Sequence, residues 1–287
     1  MKTTEFFKDG QVFSFEVFPP KPTSDISVIY KALDGLSEMN PDFISVTFGA
    51  GGGANCERSV EIASAVKHKY HRESVAHLPG INITEEEAAQ ILDTLKEQGV
   101  ENVLALRGDL TPDMTPKGRF SHANELITWI RERYNFNILA ACYPEGHLES
   151  GSLEEDMEYT RQKVESGATH LVSQLFLDNK YFHAFRERAA AKGITVPIEA
   201  GIMPVTNKAQ IERMVKLSGV HLPEKFVKML ERYEHNQQAL RDAGIAYAID
   251  QIVDLLSQGA DGIHLYTMNN TYVAGRIYDA VKNLFRV

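Results

Sequence analysis

Short apolar runs alternate with longer amphipathic segments along nearly the whole chain. The runs VFSFEVF (12–18), FISVTFG (43–49), SVAHL (74–78), NVLALRG (102–108), NILAACY (137–143), HLVSQLF (170–176), VPIEAGI (196–202) and GIHLYTM (262–268) read as eight strands. They are almost continuous in apolar residues, as strands buried on both faces are. The segments between them carry helical spacing, for example Ile29, Leu33 and Leu36. In TEEEAAQILDTLKEQG, Thr84 and Glu87 form the pattern of a capping box and Gly99 marks the stop. Gly167, Gly193 and Gly259 close other helical segments in the same way. Helix, glycine, short loop and strand recur in that order, which is the crossover that parallel strands need.

Eight such units within 287 residues predict an α/β fold, a TIM (β/α)8 barrel forming one domain over residues 1–287. The long interval from Ile202 to Gly262 predicts extra helices before the last strand. A doubly wound open sheet is the competing arrangement, but no GxGxxG follows the first strand. No Pro-, Gly- or Ser-rich linker divides the chain.

Composition narrows the function classes. A net charge of −9 without a long basic cluster argues against nucleic acid as a partner. No apolar stretch is long enough to span a bilayer and no secretory h-region opens the chain, so a cytoplasmic protein is expected. The two cysteines, Cys56 and Cys142, form no CxxC pair, and His77, His147 and His170 fit no ligand spacing, so no metal site is expected.

A TIM barrel gathers its chemistry at the C-terminal ends of its strands. Those positions hold Glu16, Thr47, His77, Arg107, Asp109, Tyr143, Glu145, His147, Gln174, Glu199 and Tyr266. Glu16 is the sharpest of them. In FSFEVFPPK it sits among Phe13, Phe15, Val17 and Phe18, where a carboxylate is costly unless paired, hydrogen-bonded or protonated. Arg107, Gly108 and Asp109 fit either a salt-bridged turn or a ligand loop, and YPEGH fits either an ordinary turn or a site. The glycine-rich FGAGGGANCERS lacks the ending of a Walker A loop and reads as a flexible loop. Cys142 reads as a packed small residue, and HAFRERAAAKG as a solvated helix face.

Taken together, FSFEVFPPK, PDFISVTFGAGG, HLPGINIT, NVLALRGDL, YPEGH, SQLFLD, GIMPVTN and HLYTMN resemble the methylenetetrahydrofolate reductase family, in order, over most of the chain. The resemblance implies a TIM barrel that uses FAD to reduce 5,10-methylenetetrahydrofolate to 5-methyltetrahydrofolate, in the one-carbon metabolism that serves methionine biosynthesis. It implies Glu16 as the general acid that protonates N10, with the raised pKa such a role asks of an acid at an apolar barrel mouth. It places Asp109 beside flavin and pterin as a second catalytic group. The implied FAD contacts are Thr47, His77, Arg107, Gly108, Asp109, Tyr143, His147, Asp156 and Lys163; the implied substrate contacts are Gln174, Gln210 and Tyr266. It also implies a homo-oligomer and an electron donor such as NADH. Two departures bear on the donor: Met214 stands where NADH-using bacterial members carry phenylalanine, and Asn270 where they carry arginine. These leave NADPH, ferredoxin or a partner subunit as other donors. A pterin-binding barrel methyltransferase without flavin is the alternative function.

Overall fold

Alternation along each strand sorts its side chains between two apolar environments. In the first strand Phe13, Phe15 and Val17 join a large core with helix residues such as Ile29, Leu33 and Leu36. Val12, on the opposite face, joins a separate cluster with Phe43, Val75, Leu104, Leu139 and Val172, one from each of six strands. Two cores of this kind are what a closed barrel inside a ring of helices requires. The computed structural model describes residues 1–21, 23–48, 53–108 and 116–286, with the side chains of residues 53–56 outside that description.

The elements run β1 (Val12–Val17), α1 (Ser27–Glu38), β2 (Phe43–Val46), α2 (Gly53–His68), β3 (Glu73–Pro79), α3 (Glu85–Glu97), β4 (Asn102–Leu106), α4 (Ala123–Arg133), β5 (Asn137–Cys142), α5 (Leu153–Ser166), β6 (His170–Ser173), α6 (Asn179–Ala191), β7 (Ile198–Ile202), then α7 (Lys208–Ser218), α8 (Glu224–Tyr233), α9 (Gln237–Ser257), β8 (Gly262–Tyr266) and α10 (Thr271–Val281). The strands pair in parallel in chain order, and β8 closes on β1. All eight expected strands are present, each within a few residues of its expected bounds, and three helices fill the long interval before β8. Thr84 caps α3 through the capping box with Glu87. The stretch read as a solvated helix face lies mostly in α6, which buries Phe185 and Ala189 on its inner side.

A 3-10 helix, Thr3–Asp9, seals the N-terminal end of the barrel. Its Phe6 and Phe7 pack onto the inner cluster. Thr3 donates its backbone N–H to Asn102 Oδ1 at 2.8 Å, and its hydroxyl accepts from Asn137 Nδ2 at 2.8 Å. Among the described residues no helix is long and apolar enough to cross a membrane.

Candidate active site

The end of β1 is fixed from both sides. Glu16 lies in register with Ser45 of β2 and Tyr266 of β8. Its carbonyl accepts from the Thr267 hydroxyl at 2.7 Å. Asn269 then clamps Phe18, accepting from its N–H at 3.1 Å and donating to its carbonyl at 2.8 Å. The two prolines that follow turn the chain away. Phe18 is therefore not core, as its sequence neighbours suggested; it is 36% exposed at the rim of the mouth.

Glu16 points inward with Val12 and Ser14, because strand side chains repeat every two residues. Its carboxyl is largely covered, with 19% of the side chain exposed, and its Oε2 lies 3.6 Å from both His77 Nε2 and His264 Nε2. Burial lowers the His77 pKa from 6.5 to about 4, opposed by the charge of Glu16 and assisted by His264. The imidazole facing Glu16 from β3 is thus neutral at pH 7.

A cavity of about 1550 Å³ opens above this cluster. Its walls include Glu16, Thr47, His77, Arg107, Gly108, Tyr143, His147, Lys163, Gln174 and Tyr266, so ten of the thirteen residues that the family resemblance implies converge on it. Arg107 pairs with Glu149 through both terminal guanidinium nitrogens, Nη2 to Oε1 at 2.9 Å. Gly108 has φ +91, and a Cβ there would lie 2.9 Å from Pro79 Cβ, so turn and space both demand glycine. Tyr143 and His147 meet edge to face at 4.7 Å, and burial lowers the His147 pKa. Lys163 donates to the Ala141 carbonyl at 2.8 Å, and desolvation lowers its pKa against the pull of Asp156. Gln174 uses its side-chain oxygen to accept from the Leu175 N–H at 2.8 Å. Tyr266 donates to the Ser173 carbonyl at 2.7 Å, and burial raises its pKa.

Two of the remaining three fall elsewhere. Asp156 is buried behind the wall, where Oδ1 accepts from the His147 N–H at 3.1 Å and from the Ser150 hydroxyl at 3.2 Å. It shapes the loop that carries His147 and does not line the cavity. Gln210 is half-buried beside Met203 and does not line the cavity either, whereas Met214 does. Asp109 lies outside the described residues, as do most of the glycine-rich stretch and the Cys56 side chain. Glu145 turns away and accepts from the His221 N–H at 2.8 Å. Glu199, grouped with the mouth by its position in the sequence, is the second residue of β7 and is fully buried inside the barrel. Asn270 caps α10 by accepting from the Val273 N–H at 3.1 Å. Cys142 is buried and its thiol is pushed up by desolvation, as a packed residue would be.

Sequence reading passed over Ser14, Ser45 and His264. The signal was their spacing: Ser14 is two residues before Glu16, and His264 two before Tyr266, so each shares the inward face of a site residue.

A closed parallel barrel with a largely covered acid, flanking imidazoles and a large cavity at the C-terminal mouth has the architecture of a TIM-barrel enzyme. Comparison with known proteins gives the family. The methylenetetrahydrofolate reductase family model matches residues 2–282, and the chain belongs to that family, one of oxidoreductases. Its relatives include 5,10-methylenetetrahydrofolate reductase of Escherichia coli (strain K12), 32% identical over 261 residues that cover 91% of this chain and 87% of that one. The enzyme of the same name from Pectobacterium carotovorum is 31% identical, covering 89% and 85%. Methylenetetrahydrofolate reductase (NADH) 1 of Arabidopsis thaliana is 34% identical over 91% of this chain, which spans 47% of the plant protein. Among solved structures, a Clostridium thermocellum protein described as binding two copies of 5-methyl-5,6,7,8-tetrahydrofolic acid shares the fold, with a TM-score of 0.66 and 11% identity over 98% of this chain and 99% of that one. Family membership decides for a reductase over a methyltransferase.

Proposed function

We propose that the mouth binds FAD and 5,10-methylenetetrahydrofolate and reduces the folate to 5-methyltetrahydrofolate, with NADH as the first candidate for electron donor. The observation that carries this reading is Glu16, held inward at the mouth between His77 and His264. The cavity, about 1550 Å³, exceeds the roughly 300–1,000 Å³ of a pocket built for one drug-sized ligand. The wall suits a flavin: a glycine cradle at Gly108, the Arg107 and Lys163 cations for phosphate or the polar ring edge, and the Tyr143 and His147 rings. Bound FAD would supply the two-electron chemistry of the reduction, with Arg107, Lys163, Tyr143 and His147 holding it.

The chain's own part is acid catalysis and orientation. Opening the five-membered ring of the substrate breaks the bond between N10 and the methylene carbon. The electron pair stays on N10 and the carbon becomes an N5-iminium. Glu16 donates its proton to N10, and hydride addition to the iminium carbon then leaves the N5-methyl product. Gln174 and Tyr266 face the same space; Gln174 orients folate and nicotinamide in turn, and Tyr266 borders the substrate side. Asp109 keeps the role that the family resemblance implies, whereas Asp156 serves the FAD site through the His147 loop that it holds and Gln210 reaches the substrate side through Met203. The donor proposal draws on the plant relative's name, which specifies NADH.

Glu16→Gln tests the reading. It should retain FAD and its reduction by the donor, while oxidation of the reduced flavin by folate slows by about 100- to 10,000-fold. Near-normal folate reduction by this variant would remove Glu16 as the acid. Anaerobic stopped-flow mixing with NADH and NADPH separately checks the donor; no reduction by either would point to a protein donor.

A further inference from the structure

The barrel interior holds a second carboxylate that the proposed reaction does not use. Glu199 is 0% exposed, and so is His170 beside it. Glu199 Oε1 accepts from the Ser14 hydroxyl at 2.7 Å. Ser14 Oγ lies 2.6 Å from His264 Nδ1. His264 Nε2, on the far side of the ring, lies 3.3 Å from the Ser45 hydroxyl and 3.6 Å from Glu16 Oε2. A continuous chain of polar contacts thus runs from Glu199 to the acid at the mouth.

Room for Glu199 is built in. Gly262 is its partner across β7 and β8, and a Cβ on Gly262 would come within 3.0 Å of Glu199 Cγ. On its other side, Glu199 Oε2 meets His170 Nε2 at 2.8 Å. That contact is short but off the line of a hydrogen bond, and neither atom has another hydrogen-bond partner among the described residues. Two bare lone pairs would repel at this distance, so one of the two atoms carries a proton. Oε1 is then the acceptor left for Ser14.

Ser14 has a single hydroxyl proton. Given to Glu199, it leaves Ser14 Oγ able only to accept from His264, so Nδ1 must carry the imidazole proton. We infer that Glu199, which does not line the cavity, is a positioning residue for the reaction: through Ser14 it fixes His264 as the Nδ1–H tautomer, presenting a bare Nε2 to Glu16. A bare Nε2 can accept a hydrogen bond from the protonated Glu16 carboxyl, which favours the acid form, and cannot donate one to the carboxylate. The 3.6 Å separation is just beyond a hydrogen bond and closes with a small side-chain rotation. Reversing the chain would need a proton on Oε1 and another on His170 Nε2. The consequence for catalysis rests on Glu16 being the acid of the proposed reaction; the tautomer does not.

Histidine-selective nitrogen-15 NMR of the whole chain tests the inference, with His264 assigned as the ring signal lost in His264→Gln. The unaltered protein should show His264 with its proton on Nδ1. Glu199→Leu should convert the ring to the Nε2–H form or to a mixture, and slow folate reduction about 10-fold while reduction of bound FAD by the donor is unchanged. Ser14→Ala, which spares the Glu199–His170 pair, should move the tautomer in the same way and covers the case that Glu199→Leu does not fold. An Nε2–H ring in the unaltered protein, or an Nδ1–H ring kept by a folded variant, overturns the inference. The ring signals need neither FAD nor folate, so an unaltered protein without reductase activity would count against the functional reading alone.

Discussion

At the scale of single residues, two imidazoles flank one acid, and their environments differ. His77 is 6% exposed, and its Nε2 has no hydrogen-bond partner among the described residues. Burial holds its pKa near 4, below the 6.5 of an unfolded chain. Between those values the unfolded state binds more protons than the folded one. Stability contributed by the neutral ring is therefore fully present above about pH 6.5 and lost as pH falls towards about 4, up to an amount on the order of 3 kcal/mol. Urea unfolding of the unaltered protein and of His77→Gln at a series of pH values isolates this effect. The stability advantage of His77 over Gln should shrink across that window and stay flat above it. An advantage that does not vary between pH 4 and 7 would mean that His77 titrates as an exposed histidine.

At the scale of elements, the mouth is built where strand ends meet side chains from their neighbours. Gly201 of β7 shows this best. A Cβ there would lie 2.2 Å from the Ser173 carbonyl and 2.6 Å from Tyr266 Oη, which is hydrogen-bonded to that same carbonyl. The carbonyl is backbone and cannot yield, so Gly201→Ala should cost about 1–3 kcal/mol and displace Tyr266. A raised folate KM together with a lower unfolding midpoint would report both effects. A midpoint and KM unchanged by the substitution would show that Tyr266 is not seated over β7. The same elements show what the sequence made readable. Apolar runs and glycine stops located all eight strands, because both faces of a barrel strand are buried and the run itself is the signal. Depth within the barrel was harder to read. Glu16 and Glu199 both sit in apolar strands, yet one is next to last in β1 and the other second in β7. Strand ends shifted by two or three residues move a side chain between mouth and interior. The partners of Glu16 were hidden for a related reason: Ser14, Ser45 and His264 meet only when three separate strands close side by side.

At the scale of the whole molecule, the two ends of the barrel divide their labour. The C-terminal end carries the cavity, and the N-terminal end is shut by the 3-10 helix Thr3–Asp9. Conserving packing at that lower end serves stability in this fold. Phe7 presents its ring edge-on to His170, 4.7 Å between centres, and packs on the inner cluster with Phe6. Both rings remain half-buried, so truncating one removes less than a full core ring would. Phe7→Ala should therefore destabilise the fold by about 2 kcal/mol, a drop of about 3 °C in Tm, while loading of the FAD proposed for the opposite mouth is unchanged. Thermal unfolding followed alongside flavin titration checks both halves. Loss of FAD binding at a temperature where the variant is still folded would show that the lower seal and the mouth are coupled through the barrel interior, contrary to this division.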